Sequence, residues 1–133
     1  MTDDECAIRS LIMTWLEATS RGELDAVLPL MADDVVFLPH GRPPMCGRDA
    51  FAAASRAMAA IGQRIEARGD IREVSVAGNL AYCWNNMAIT ITSPFGDPVH
   101  LAGPALTVLS KGKDGHWLVI RDANMVAPIT PAG

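Results

Sequence analysis

The side chains suited to chemistry in this sequence are few, and the best placed is Asp122, two residues before Asn124 in an apolar run near the end. On a strand, residues two apart project from one face. An acid on an apolar wall has its charged form disfavoured, and a raised pKa lets it act as a general acid or base near neutral pH. Amides beside it could hold a carbonyl oxygen while the proton moves. The same aspartate could instead pair with Arg121, Arg48 or a backbone amide at a sheet edge, and then it would serve only the fold. Asn86 offers another amide, although Asn86 and Asn124 suit the satisfaction of buried backbone groups equally well. His40 is a further acid–base candidate, set among Pro39, Gly41, Pro43 and Pro44 in what reads as a solvated loop.

Other chemistries find no support. His40, His100 and His116 are isolated, with no His-His-acid spacing, and the latter two flank hairpins, so no metal is expected. There is no Gly-x-Gly phosphate loop, and no cofactor is expected. Cys6, Cys46 and Cys83 form no CxxC pair and read as reduced, small hydrophobes. With a net charge of -4 and 11 scattered Lys and Arg, the chain is unsuited to nucleic acid. No apolar stretch approaches the ~20 residues of a membrane span. The acidic start, Asp3-Asp4-Glu5, is the opposite of a secretory leader, so a cytoplasmic location is expected.

The elements that must position these groups follow from periodicity. Asp3 or Asp4 can cap a helix in which Ile8, Leu11, Ile12, Trp15 and Leu16 keep the spacing of one face, ended by Arg21-Gly22. Residues 23–31 carry a second apolar face, shortened or kinked by Pro29. Asp33-Asp34 reads as a turn into a strand from Val35 to Leu38, and a loop dense in Pro and Gly follows to Gly47. Residues 48–61 form an alanine-rich third helix closed by Gly62. From Arg64 the period becomes two, with strands over 65–76, 80–92, 99–110 and 116–125. A break is expected near Gly69-Asp70 and a bulge or bend at Gly103-Pro104. Half the 133 residues are apolar, enough for the core of one domain over 1–128, with 129–133 as a loose tail. Helices followed by a strand meander predict an α+β fold, with an antiparallel sheet curved into a cone and three N-terminal helices on one side.

Several motifs, in order, carry a resemblance. They are Trp15-Leu16-Glu17-Ala18, the run from Arg21 to Val27, Met31-Ala32-Asp33-Asp34-Val35-Val36-Phe37, Gly47-Arg48-Asp49-Ala50-Phe51, Gly78-Asn79-Leu80-Ala81-Tyr82 and the stretch Trp117 to Asp122. Together they resemble the NTF2-like superfamily, in particular its SnoaL-like or SgcJ/EcaC-type small bacterial proteins, over nearly the whole chain. Ketosteroid isomerase, of the same superfamily, uses an aspartate base with a tyrosine and a protonated aspartic acid as oxyanion donors. Those positions fall here on Leu38, on Trp15 and near Ala105 or Thr107. None of the three groups is kept, so the resemblance extends to the fold and not to that activity.

The resemblance implies a pocket inside the cone and a choice of faces. It turns Tyr82, Trp84 and Asn86 inward, leaving Met87, Ile89 and Ile91 to meet a second layer or a partner subunit. On the last strand it turns Ile120, Asp122 and Asn124 inward. Trp15, Leu38 and Met58 or Phe51 complete an apolar wall, with His40 just beyond. The expected ligand is a small hydrophobic or polycyclic carbonyl compound. The expected reaction is a cofactor-free isomerisation, cyclisation, dehydration or hydrolysis at Asp122. Two other uses suit the same residues: non-catalytic binding of a small ligand, and a homodimer formed through the sheet around a vestigial pocket.

Overall fold

Helix α1 (Asp3–Arg21) is set by its ends. Thr2, not an aspartate, is the cap: its Oγ1 accepts a hydrogen bond from Glu5 N at 3.1 Å. Asp3, Asp4 and Glu5 then fill the first turn, where the helix dipole favours acids. Gly22 closes the helix at φ 71°, a left-handed conformation that glycine adopts without steric penalty. Helix α2 (Leu24–Val27) is a single turn that passes into a 3-10 turn (Leu28–Leu30) around Pro29. The strands are β1 (Met31–Pro39), β2 (Met45–Cys46), β3 (Arg64–Ala77), β4 (Leu80–Thr92), β5 (Val99–Lys111), β6 (Trp117–Asn124) and β7 (Ala127–Pro128). Helix α3 (Arg48–Ala60) lies between β2 and β3. The computed structural model describes residues 1–129; the rest of the expected tail, 130–133, lies outside them. Ile129 is bound, its N–H donating to His100 O at 2.9 Å.

The sheet runs β2-β1-β6-β5-β4-β3, with β7 beside β5. It is mixed and not wholly antiparallel, because β1 joins β6 in parallel. Asp33 and Asp34 belong to an irregular part of β1, where Met31 to Val36 spans only Val119 to Arg121 on β6. The expected break on β3 is displaced, whereas on β5 the pairing passes from β6 to β7 across Gly103-Pro104. Strand β3 passes unbroken through Gly69, and its register shifts between Ile71 and Glu73. Strand β5 pairs with β4 without a shift at Gly103, and its irregularity against β6 lies between Val108 and Leu109. Gly103 serves another purpose, since a Cβ there would run into the Met125 carbonyl where the chain crosses it.

The core lies between α1 and one face of the sheet. Ile8, Leu11, Ile12 and Leu16 are buried against Met31, Val35, Cys83, Leu109 and Val119. Each such side chain contributes roughly 1.5–3 kcal/mol. Polar ties fix the helix at both ends. Asp4 Oδ1 accepts from Trp117 Nε1 and from Lys111 Nζ, each at 3.0 Å, and these bonds hold its carboxyl below the ordinary aspartate range. Ala67 N donates to Ser20 Oγ at 2.9 Å. With α1 pinned, Trp15 faces a space between α1, α3 and the sheet. No helix among the described residues is long and apolar enough to cross a membrane.

Candidate active site

Directly paired residues share a sheet face, so the register defines rows across the inner wall. One row runs Val74–Cys83–Thr107–Asp122–Phe37. The next runs Ile71–Asn85–Ala105–Asn124–Pro39. These rows bring four polar groups, Thr107, Asp122, Asn85 and Asn124, onto the wall of a cavity of about 1100 Å³. Its remaining surface is largely apolar. Trp15, Phe37 and Phe51 form one cluster there, with ring centroids 5.0 to 6.1 Å apart and Phe37 stacked on Phe51. Met58, Met87 and Ile89 extend that surface.

Asp122 is the carboxyl of these two rows. Burial pushes its carboxyl up to about 6, against the opposing effect of a hydrogen bond from Thr107. Thr107 Oγ1 donates to Asp122 Oδ2 at 2.8 Å. Neither Arg48 nor Arg121 pairs with it: Arg48 bridges to Asp33, and Arg121 donates to the carbonyls of Asp34 and Ile120. Asn124 turns its Oδ1 back to accept from Val126 N at 2.8 Å. Cys83 is fully buried, and burial pushes its thiol up to about 11, which suits packing better than nucleophilic attack. Among the described residues no group of three or more His, Cys, Asp or Glu is arranged to hold a metal ion.

The model of the SnoaL-like domain matches residues 12–120. The chain belongs to the SnoaL-like domain family. A conserved protein from Planctomyces limnophilus shares 37% identity at a TM-score of 0.88, over 95% of this chain and 98% of that one. A ketosteroid isomerase-like protein from Erwinia carotovora superposes at 0.83 with 23% identity, over 98% and 100% of the two chains. A Novosphingobium aromaticivorans protein, provisionally named a scytalone dehydratase, superposes at 0.81 with 14% identity, over 96% and 85%. The last two show a shared fold alone. No curated protein matches the chain.

Within this SnoaL-like fold, Trp15, Met58, Asp122 and Asn124 line the cavity as expected. Five expected binding residues do not. On β4 the alternation is opposite to that expected: Asn85, Met87 and Ile89 face the cavity, while Tyr82, Trp84 and Asn86 lie on the outer face. The more apolar face turns inward because the cavity wall is itself apolar, a signal present in the sequence. Leu38 is 45% exposed on the outer face, and its neighbour Phe37 points in. Ile120 is the extra residue where β6 slips against β5, which lets Val119 and Asp122 face the same side. His40 is exposed in the turn after β1, away from the cavity lining. In the two rows, Thr107 and Asn85 are the polar residues not expected from the sequence.

Proposed function

We propose that this protein is a cofactor-independent enzyme that moves a proton on a small hydrophobic carbonyl compound, with Asp122 as the acid–base group. The observation that supports this is a carboxyl with a pKa of about 6, set on the apolar wall of a cavity large enough for a bicyclic molecule. Near neutral pH the carboxylate takes a proton from the carbon beside the carbonyl, and the C–H electron pair becomes an enolate. Returning that proton to another carbon isomerises the substrate. Giving it instead to a departing β-hydroxyl releases water. Dehydration also suits the provisional names of two neighbours of the same fold, one a scytalone dehydratase and one an NTF2-like dehydratase from Streptomyces avermitilis.

The test uses exchange of the α-hydrogens of 1-tetralone in D2O, followed by NMR. The protein is expected to accelerate exchange, and Asp122→Asn to reduce the acceleration by about 10²- to 10⁴-fold. Equal exchange by the variant removes Asp122 from the chemistry.

The outer face of the sheet favours a second reading, about assembly. Trp84, Leu106, Ala123 and Leu38 form one apolar row across four strands. Glu66, Arg68, Asp70 and Glu73 flank it on β3 with both signs of charge. A two-fold axis through the apolar row would bring like apolar groups together, and a second copy of this chain is the proposed occupant.

A further inference from the structure

Three of the four polar groups in the two rows of the sheet wall are already engaged. Thr107 donates to Asp122, and Asn124 accepts from Val126 N. Asn85 is different. It lines the cavity at only 3% exposure, and its Oδ1 is buried without a hydrogen-bond partner. Leaving a buried amide group unpaired costs about 1–3 kcal/mol. An aliphatic side chain would avoid that penalty.

The position of Gly69 shows which way the amide points. A Cβ added to Gly69 would stand 2.7 Å from Asn85 Oδ1 and 2.7 Å from Leu16 Cδ1. A glycine Cα hydrogen occupies that direction. A Cα–H is a weak donor, so it accommodates an amide oxygen better than an amide NH2. Oδ1 therefore belongs against Gly69, and Nδ2 is the amide atom left for the cavity. It is a donor whose partner must come with the ligand.

We propose that Asn85 Nδ2 holds the carbonyl oxygen of the substrate and stabilises the negative charge that develops there. The proposal rests on the acid–base reading of Asp122. When the α C–H bond breaks, its proton goes to the Asp122 carboxylate and its electron pair moves toward the carbonyl oxygen. A donor fixed in an apolar site is most effective at such a developing charge. Strands β4 and β6 are separated by β5, so the two groups stand on strands roughly 10 Å apart. The carbonyl oxygen and the acidic C–H belong to adjacent carbons, so the ketone sits between the two side chains, which reach toward it from neighbouring rows of the wall.

The experiment compares 1-tetralone with tetralin, the same two rings without the carbonyl. Binding is read from tryptophan fluorescence, and the carbonyl stretch of bound ketone by infrared difference spectroscopy. Asn85→Leu is expected to weaken ketone binding about tenfold and leave tetralin binding unchanged. The stretch, lowered in the unsubstituted protein, should return to its value in an apolar solvent. Thermal melting of this variant should be no lower than that of the unsubstituted protein, and Asn85→Ala provides the same contrast if leucine disturbs packing. Asp122→Asn should retain both the ketone preference and the lowered stretch, so a failure at Asp122 shows in exchange alone. An unchanged ketone preference and stretch in both Asn85 variants overturns the proposal.

Discussion

Thr107 and Asp122 stand opposite each other on β5 and β6, joined by a 2.8 Å hydrogen bond from the threonine hydroxyl to the carboxylate. Burial raises the carboxyl and this bond lowers it; burial is the larger effect. Thr107→Val keeps the shape and removes the donor. The apparent pKa of the exchange reaction should then rise from about 6 by roughly half a unit to one unit, the equivalent of about 1 kcal/mol. Carboxyl carbon NMR of Asp122 reads the same shift without a substrate. An unchanged or lowered pKa would show that the threonine is only a packing neighbour.

The raised carboxyl also sets how stability changes with pH. Unfolded, Asp122 titrates at its ordinary 3.8; folded, it titrates at about 6. Between these values the folded chain holds a proton that the unfolded chain has lost, so stability from this group falls as pH rises through that window. Above it, the fold carries a charge on an apolar wall. Asp122→Asn escapes this, and should be more stable than the unsubstituted protein at about pH 7, by on the order of 2–3 kcal/mol. The difference should vanish near pH 4. Denaturant unfolding of both proteins across this range checks the sign, which reverses if ionised Asp122 is stabilised by the fold.

Gly69 lies in an ordinary extended strand, so its substitution is a purely steric test. The Cβ of Gly69→Ala would meet Asn85 Oδ1 and Leu16 Cδ1, both at 2.7 Å. Either the amide turns or α1 shifts, and crowding of this kind costs about 1–3 kcal/mol. Loss of 1-tetralone affinity without loss of tetralin affinity would show that the amide moved. Equal loss of both would show that α1 moved.

Much of this architecture was legible in the residue pattern, for identifiable reasons. The stripe of Ile8, Leu11, Ile12 and Leu16 and the long alternating runs required a helix packed on a sheet. Asp122 and Asn124 could be placed on one face because two-residue spacing is insensitive to where a strand begins, and the resemblance turned that face inward. The face of β4 was assigned by resemblance and came out reversed, although Met87 and Ile89 against Tyr82 and Asn86 carried the correct answer. Leu38 was placed by the same resemblance and also came out on the outer face. Ile120 failed for another reason: it lies at the slip of β6 against β5, and alternation cannot be counted through a slip. Asn85 was out of reach, because its unpaired oxygen exists only once Gly69 and Leu16 have packed against it.

The reversed face moves the expected dimer contact to the other side of β4. Met87 and Ile89 line the cavity, so acidic residues there would damage ligand binding and the wall around Asp122. The proposed association surface is instead centred on the opposed pair Trp84 and Leu106. Leu106 is 41% exposed and Tyr82, on the next row, 37%; apolar groups this open, set together, suit burial by a second copy. Trp84→Glu with Leu106→Glu places like charges against their own two-fold mates in a desolvated centre. Light scattering is expected to show a monomer, with the cavity still binding 1-tetralone because neither residue faces it. A particle mass unchanged from that of the unsubstituted protein would place any dimer contact elsewhere, and a monomeric unsubstituted protein would remove the dimer altogether.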